Sequence, residues 1–297
     1  MTYSIIARDP VEGHLGVATQ SQAFAVGSSV SWALPGVGAI ATQSMGEPMY
    51  GELGLHGLSA GLTAHEALAA LRTVDPHPER RQVAMVDATG RVAAYTGSAC
   101  VEAAGHVLGE ECAALGNLVH SPAVWETMLT TYQSASGWLP GRLIDALEAA
   151  EDAGGDLRGR RSAAVLVVRA QRSGRPWHDQ VIDLRVDDHP EPVVELRRLV
   201  VHTWRYQRTV EAFELALDGA GERAVQALPD HDPDPGRDPD LALWRAVVLA
   251  AAGHDAEAAE LGRGLERQAP AFVEAARRFV PAGLIDASLM RRVLPGG

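Results

Sequence analysis

The 297-residue sequence contains no lysine, and all 26 of its basic residues are arginine. No chemical step in this protein can therefore use a lysine amine or ammonium group. Acidic residues number 38, so the formal net charge is −12 at pH 7. Binding to nucleic acid or to an anionic membrane needs a basic surface, and this charge balance therefore predicts no nucleic-acid partner.

Cysteine and long apolar runs are also scarce. The two cysteines, Cys100 and Cys112, are not spaced as a CxxC pair. No charged leader or apolar signal segment precedes the first strand pattern, so we expect reduced thiols in a cytoplasmic protein. No apolar run approaches the ~20 residues that a membrane helix needs, so we expect no membrane association.

Common cofactor and catalytic motifs are missing. The histidines are scattered without HExxH spacing, and the glycine-rich segment 46–61 lacks the GxxxxGK[ST] pattern of a phosphate loop. No GxSxG elbow occurs, which argues against an α/β-hydrolase. We therefore expect neither a metal nor an organic cofactor, and we interpret Cys100 and Cys112 as packing residues.

Residue patterning predicts strands and helices in groups. Strands are predicted at residues 2–8, 15–20, 37–42, 81–87, 91–96, 162–168 and 181–186. Helices are predicted at 63–71, 121–133 and 140–153, the first with a Thr63–Glu66 capping box. This grouping favours the α+β class with antiparallel sheets over strict βαβ alternation.

Near residue 195 the residue pattern becomes typical of helices. We predict a first domain over residues 1–195 and an α-helical appendage over 196–297, with the proline- and aspartate-rich residues 229–240 as an exposed linker. Residues 241–268 are typical of a helical hairpin. Two interpretations stay open: one tetratricopeptide-type (TPR-like) unit that binds a protein partner, or a helical pair that packs on the main domain.

The start of the chain combines a buried strand pattern with a candidate nucleophile. The small residue at position 2 permits removal of Met1 by methionine aminopeptidase, which would leave Thr2 first. An α-amine has a pKa of about 7.7–8.0 and can take the proton of the neighbouring hydroxyl. The alternative is that Thr2 is an ordinary first residue of a strand.

Polar residues gather at the ends of predicted strands, where they could crowd around Thr2 and form an oxyanion site with their backbone N–H groups. Arg158 suits a substrate carboxylate because its guanidinium binds bidentately, although the alternative for its segment is a solvated turn. The candidate catalytic residues are Thr2, Gln43 and Ser44. The candidate orienting or substrate-binding residues are Asp9, Gln20, Ser21, Asn117, Asp156, Arg158 and Ser162.

Several segments together resemble one family. MTYSIIARDP, GHLGVATQSQAFAVG, PGVGAIATQS, MYGELGL, RQVAMVDATGRVAAYTG, ALGNLV and GGDLRGRRSAAVLVV resemble the family of unknown function DUF1028. The resemblance covers about residues 2–200. It implies membership of the N-terminal-nucleophile (Ntn) hydrolase superfamily and an αββα sandwich, with two facing antiparallel sheets and helices outside. It also implies Thr2 as the nucleophile and Gln43–Ser44 as the oxyanion site.

The resemblance implies an activity as well as a fold. The superfamily includes proteasome β-subunits and several amidases, so it implies hydrolysis of an amide-type C–N bond in a small-molecule substrate. This chain departs from proteasome-type members, because it has no lysine and carries Thr19 near the position of their partner acid. The alternative is a non-catalytic scaffold that binds a ligand or a protein. In either case we expect a homo-oligomer.

Overall fold

The computed structural model describes residues 2–295, and Met1, whose removal the small residue at position 2 permits, lies outside them. The chain divides into two compact units, one ending at Val200 and the other beginning at Val201. The predicted boundary at residues 195/196 lies close to this division. No helix within residues 2–295 is both long and apolar enough to span a membrane.

The first unit is built on two antiparallel sheets. Their strands are β1 (Thr2–Arg8), β2 (Leu15–Ser21), β3 (Ser31–Leu34), β4 (Gly38–Ser44), β5 (Arg81–Asp87), β6 (Val92–Thr96), β7 (Gly105–Gly109), β8 (Cys112–Asn117), β9 (Ser162–Val168) and β10 (Gln180–Val186). One sheet has the order β10-β9-β2-β1-β8-β7, and the other has the order β3-β4-β5-β6. The α+β class with antiparallel sheets is confirmed.

Strand β1 lies inside the six-stranded sheet, between β2 and β8. Successive side chains of a strand point to opposite faces. Tyr3 and Ile5 therefore join the core beneath the helices, whereas Ile6 joins the core between the sheets. Ile5 and Ile6 are both fully buried, and each stabilises the fold by roughly 1.5–3 kcal/mol. This two-sided burial fixes the start of the chain in the middle of the unit.

Helices cover the outer face of each sheet. The helices are α1 (Met49–Ser59), α2 (Ala64–Val74), α3 (Ala123–Ser134) and α4 (Leu139–Asp152). Helices α1 and α2 share a core with β4 and β5, and α3 and α4 share a core with β1 and β2. A third core fills the space between the sheets with small and branched side chains. The layer order is thus helix, sheet, sheet, helix.

The predicted capping box starts α2. The Thr63 hydroxyl accepts the Glu66 N–H at 3.1 Å, and the Glu66 carboxylate accepts the Thr63 N–H at 2.8 Å.

Three strands were not predicted, namely β3, β7 and β8. Strand β8 reads Cys-Ala-Ala-Leu-Gly-Asn, which has no β-branched residue to distinguish it from the surrounding Gly- and Ala-rich segment.

A buried ion pair between Arg81 and Asp75 lies next to the segment that follows β4 and holds it in place. Arg81 donates to Asp75 at 2.8 and 3.2 Å and to the Met45 carbonyl at 2.6 Å. The Asp75 side chain is 1% exposed, and its hydrogen bonds from Arg81 lower its pKa from 3.8 to about 2. Because the folded-state pKa is depressed, this stabilisation is complete above about pH 4 and is lost as the pH falls toward 2.

We therefore predict that Asp75→Asn lowers the free energy of unfolding at pH 7 by about 2 kcal/mol and flattens its decline between pH 4 and pH 2. Urea titrations across this pH range measure both effects. Asp183→Asn is the control, because Asp183 is exposed and makes no ion pair with any described residue. An unchanged acid limb in Asp75→Asn would contradict the assigned pKa shift.

The second unit is built from helices joined by irregular segments. Its helices are α6 (Gly221–Ala227), α7 (Pro239–Ala251), α8 (Asp255–Gln268), α9 (Pro270–Arg277) and α10 (Ala287–Val293), preceded by α5 (Pro192–Leu217), which contains the division between the units. The Trp244 ring packs between Phe213 at 4.5 Å and Phe279 at 5.8 Å between centroids. Helices α7 and α8 correspond to the predicted hairpin, and its TPR-like character stays a prediction.

The segment predicted as a linker over residues 229–240 lies inside the second unit. Pro229 is buried, and its carbonyl accepts a hydrogen bond from Arg245 of α7 at 3.0 Å. Asp232 pairs with the same arginine at 3.0 Å. Proline excludes regular hydrogen bonding but does not prevent packing, so this segment is irregular yet anchored to α7.

Close packing between α8 and α10 yields a test of the second unit. A Cβ atom at Gly262 would overlap the main-chain carbonyl of Val293. We predict that Gly262→Ala destabilises this unit by about 2 kcal/mol, because backbone must move to accept the methyl group. Gly141→Ala in α4 is the control: a Cβ there meets open space, so we expect a gain of about 0.5 kcal/mol. Differential scanning calorimetry measures both changes.

Candidate functional site

Thr2 lies at the start of β1 and faces the space between the two sheets. It is 4% exposed and pairs with Asn117 of β8. Its hydroxyl donates to the Ser21 hydroxyl at 3.2 Å, at the end of β2. The two sequence candidates Thr2 and Ser21 are therefore neighbours.

Two side-chain amides converge on the Thr2 carbonyl. Gln43 donates to it at 3.0 Å and Asn117 at 3.4 Å. The same two amide groups also donate to the Gln82 side-chain oxygen, at 2.7 and 2.8 Å. Thr2 is therefore held by side chains from β4 and β8, so the two sheets meet at this residue.

Hydroxyl groups continue the network along β1. Ser4 donates to the Gln43 side-chain oxygen at 2.6 Å, and its hydroxyl lies 2.8 Å from that of Thr19. All three residues are buried. The position near which the superfamily resemblance implies an acid is thus occupied by the neutral hydroxyl of Thr19. A base for the Thr2 hydroxyl would have to be a different group.

A charged pair lies next to the Ser21 hydroxyl. Asp156 is fully buried at its side chain and accepts from the Arg158 guanidinium at 2.8 and 3.2 Å. It also accepts the Gln22 N–H at 3.1 Å. One guanidinium nitrogen of Arg158 is 3.5 Å from the Ser21 hydroxyl. Asp156 thus fixes an arginine beside the pair formed by Thr2 and Ser21.

The backbone is strained next to the two residues whose amides hold the Thr2 carbonyl. Ser44 follows Gln43 and Leu118 follows Asn117, and their φ values of 73° and 49° lie in the left-handed region that favours glycine. Such conformations cost of order 1 kcal/mol or more each and cluster at functional sites. Their positions beside Gln43 and Asn117 support a functional role for this edge of the sheets.

Ser162 has a supporting position. It pairs with Ser21 across β2 and β9, but its hydroxyl donates to the Ala23 carbonyl at 2.6 Å and accepts the Val26 N–H at 3.0 Å. Both of these contacts are to the loop after β2. Ser162 therefore holds that loop against the sheet.

Two candidate residues are not brought to Thr2. Asp9 lies beyond the other end of the seven-residue strand β1. At about 3.3 Å per residue, it is roughly 23 Å from Thr2. There its carboxylate accepts the main-chain N–H groups of Val11 and Glu12 and caps a turn. Gln20 pairs with Tyr3 and so faces the helix layer, on the opposite side of the sheet from Thr2. Its amide makes no hydrogen bond to any residue that the structure describes.

The thiols and the acidic groups suggest no rival centre. Burial raises the pKa of the Cys112 thiol to about 11, which keeps it protonated near neutral pH. Cys100 is half-buried beside the Arg81 carbonyl. Over residues 2–295, no three His, Cys, Asp or Glu side chains are grouped to hold a metal ion.

Sequence reasoning missed two members of the network, Gln82 and Ser4. Both are fully buried polar residues in strands of otherwise apolar pattern. A buried polar side chain in such a strand needs a hydrogen-bond partner. A polar residue within an apolar strand pattern was therefore the sequence feature that could have identified them.

The sequence matches the profile of the family of unknown function DUF1028 over residues 2–196. The chain belongs to the DUF1028 family. A solved DUF1028 protein, SPO2555 from Silicibacter pomeroyi, is similar in structure with a TM-score of 0.62 and 30% sequence identity, over 68% of this chain and 88% of that chain. No protein of curated function matches the sequence.

A second solved structure is more distant. Anbu (ancestral beta-subunit) from Yersinia bercovieri has a TM-score of 0.34 and 12% identity, over 67% of this chain and 93% of that chain. A likeness of this size carries no argument about the chain.

Proposed function

We propose that the first unit is an Ntn-type hydrolase that cleaves an amide-type C–N bond of a small molecule. The single observation that carries this proposal is the position of Thr2. Its hydroxyl bonds to Ser21, and its carbonyl is held by Gln43 and Asn117 at the start of a central strand. The helix–sheet–sheet–helix layering supports the same proposal.

The reaction begins with attack by the Thr2 hydroxyl oxygen on the substrate carbonyl carbon. Removal of Met1 leaves Thr2 with a free α-amine, which takes the hydroxyl proton. The negative charge that forms on the carbonyl oxygen would be stabilised by the main-chain N–H groups of Gln43 and Ser44. The left-handed conformation of Ser44 turns its peptide away from the regular strand path and favours this role.

Collapse of the tetrahedral intermediate breaks the C–N bond. The protonated α-amine donates its proton to the leaving nitrogen, and the acyl group stays on Thr2 as an ester. Water, activated by the same amine, then hydrolyses the ester and restores the hydroxyl. Arg158, fixed by Asp156, would bind a carboxylate of the substrate beside Ser21.

An acylating probe tests this proposal directly. A small β-lactone opens on a reactive hydroxyl and adds its whole mass to the nucleophile without a leaving group. We expect one added lactone per chain, located at Thr2 by peptide mass spectrometry. Modification at Ser21 or Ser44 instead of Thr2 would contradict the assignment.

Outside the active site, we propose a cytoplasmic homo-oligomer whose second, helical unit binds a protein partner. The exposed polar face of α8 supports a surface role for this unit. Light scattering on the purified protein tests the oligomer: a monomer at micromolar concentration would contradict it.

An affinity pull-down with the full chain and with the Gly262→Ala variant tests the partner, and equal recovery by both would contradict a role for the packed helices.

A further inference from the structure

Gln82 is the centre of the buried network beneath Thr2. It lies on β5, is fully buried, and pairs with Gln43 across β4 and β5. Its side-chain nitrogen is within hydrogen-bond distance of the Gly105 carbonyl at 3.0 Å and the Gly116 carbonyl at 2.8 Å. It also lies 3.0 Å from the Thr96 hydroxyl.

The two main-chain carbonyls determine which way the Gln82 amide points. A carbonyl oxygen can only accept a hydrogen bond, so the group that faces Gly105 and Gly116 must be the NH2 group. The Gln82 oxygen must then face the opposite way, toward Gln43 and Asn117. The orientation follows from backbone geometry and does not depend on the assignment of nitrogen and oxygen in the side chain.

The orientation of Gln82 in turn fixes its two neighbours. The Gln82 side-chain oxygen is an acceptor and lies 2.7 Å from the Gln43 amide and 2.8 Å from the Asn117 amide. Both amides must therefore point their NH2 groups toward it. Each NH2 group has a second hydrogen, and both reach the Thr2 carbonyl. The Gln43 oxygen is consequently left for the Ser4 hydroxyl.

We propose that Gln82 is a positioning residue for Thr2. As the common acceptor for Gln43 and Asn117, it aims two N–H donors at the Thr2 carbonyl and holds the nucleophile in its reactive position. The inference rests on the proposed function, since it assigns a role in the reaction of Thr2. Gln82 touches neither the Thr2 hydroxyl nor the substrate, and its effect passes through the two amides.

The alternative is a purely structural role, in which Gln82 stabilises the fold without influencing Thr2. Gln82→Met separates the two roles because it removes the acceptor while keeping a side chain of similar length. Thr96→Val is the matched control. It removes a hydrogen bond from the same Gln82 nitrogen, but the two carbonyls still set the orientation of the amide.

Asn117 provides a spectroscopic signal, because it is the only asparagine in the sequence. Protein labelled with ¹⁵N at the asparagine side-chain amide gives one NH2 pair by NMR. In the wild type we expect two inequivalent protons that exchange slowly, since one is bonded to Gln82 and the other to Thr2. Gln82→Met should move the pair toward free-amide positions, and Thr96→Val should leave it in place.

The same variants are then treated with the β-lactone at a temperature where all are folded. We expect the rate of Thr2 acylation to fall at least about tenfold in Gln82→Met, because a small displacement of a reacting group is costly, and to stay within about twofold in Thr96→Val. Gln82→Glu serves if the Met variant does not fold. Its acid group keeps an acceptor for both amides, so the Asn117 signals should persist and the acylation rate should stay within about tenfold of the wild-type rate.

The outcomes separate the two proposals. Unchanged Asn117 signals, or an unchanged acylation rate despite altered signals, in Gln82→Met would overturn the positioning role alone. No acylation of wild-type Thr2 would overturn the proposed function, and the positioning role with it. Equal losses of rate in Gln82→Met and Thr96→Val would show that Gln82 acts only through stability.

Discussion

Thr2→Ala is expected to abolish hydrolysis of any amide substrate, with a fall in kcat of at least about 10⁴-fold, because it removes the attacking oxygen. The loss of stability should be small, about 1 kcal/mol, since the variant loses one hydrogen bond to Ser21. Turnover of a panel of small amides, and urea unfolding of the same samples, measure the two effects. Activity and stability should thus respond very differently to one substitution.

Two variants serve as controls for this prediction. Thr2→Ser keeps a hydroxyl beside the α-amine and should retain measurable turnover. Ser21→Ala removes the partner of the Thr2 hydroxyl but not the nucleophile, so we expect a loss of about 10–100-fold. An active Thr2→Ala enzyme would show that another group attacks the substrate, with Ser21 and Ser44 the nearest hydroxyl candidates.

Asp156→Ala is expected to cost about 3 kcal/mol of unfolding free energy. The buried carboxylate balances the charge of Arg158 and accepts the N–H groups of Gln22 and Arg158, which would all lose their partner. Because these contacts join the loop after β2 to the loop before β9, both loops should become more sensitive to proteolysis. Chemical denaturation and peptide mapping of early cleavage sites measure these changes.

Asp188→Ala is the matched control for that substitution. Asp188 also pairs with an arginine of the loop before β9, Arg161, at 2.9 Å, but both partners are well exposed. An exposed ion pair contributes little to stability because water and salt screen it. If Asp188→Ala and Asp156→Ala reduced stability equally, the buried carboxylate would not have the role assigned to it.

Local patterns predicted most of the first unit. Strands β1, β5 and β9 were predicted with the bounds that the structure shows, because their apolar runs end at turn residues or charges. The capping box gave the start of α2. Strands built from small residues, such as β8, were missed, because tertiary pairing rather than local preference makes them strands.

Candidate site residues at strand ends lie together in the structure, whereas two candidates whose positions depend on strand register or strand length lie away from Thr2. Gln20 and Ser21 are adjacent, but the two-residue period of a strand places only Ser21 on the face of Thr2. Asp9 is close to Thr2 in sequence but lies beyond the opposite end of β1. Such differences of one residue depend on which residues pair across neighbouring strands, and the sequence alone does not specify this pairing.

The amide network lay beyond sequence analysis for a similar reason. Gln43 and Gln82 come from the four-stranded sheet, whereas Thr2 and Asn117 come from the six-stranded sheet. Their convergence depends on how the two sheets face each other. The buried polar character of each residue was visible in the sequence, but the partner of each was not.

The mass of the intact, natively expressed protein tests the central proposal most directly. The mechanism requires a free α-amine on Thr2, because a nitrogen in a peptide bond cannot accept the hydroxyl proton. We predict a mass lower than that of the full sequence by one methionine residue, with Thr2 as the first residue in N-terminal sequencing. A protein that retains Met1 in full would contradict the nucleophile assignment and favour a non-catalytic binding scaffold.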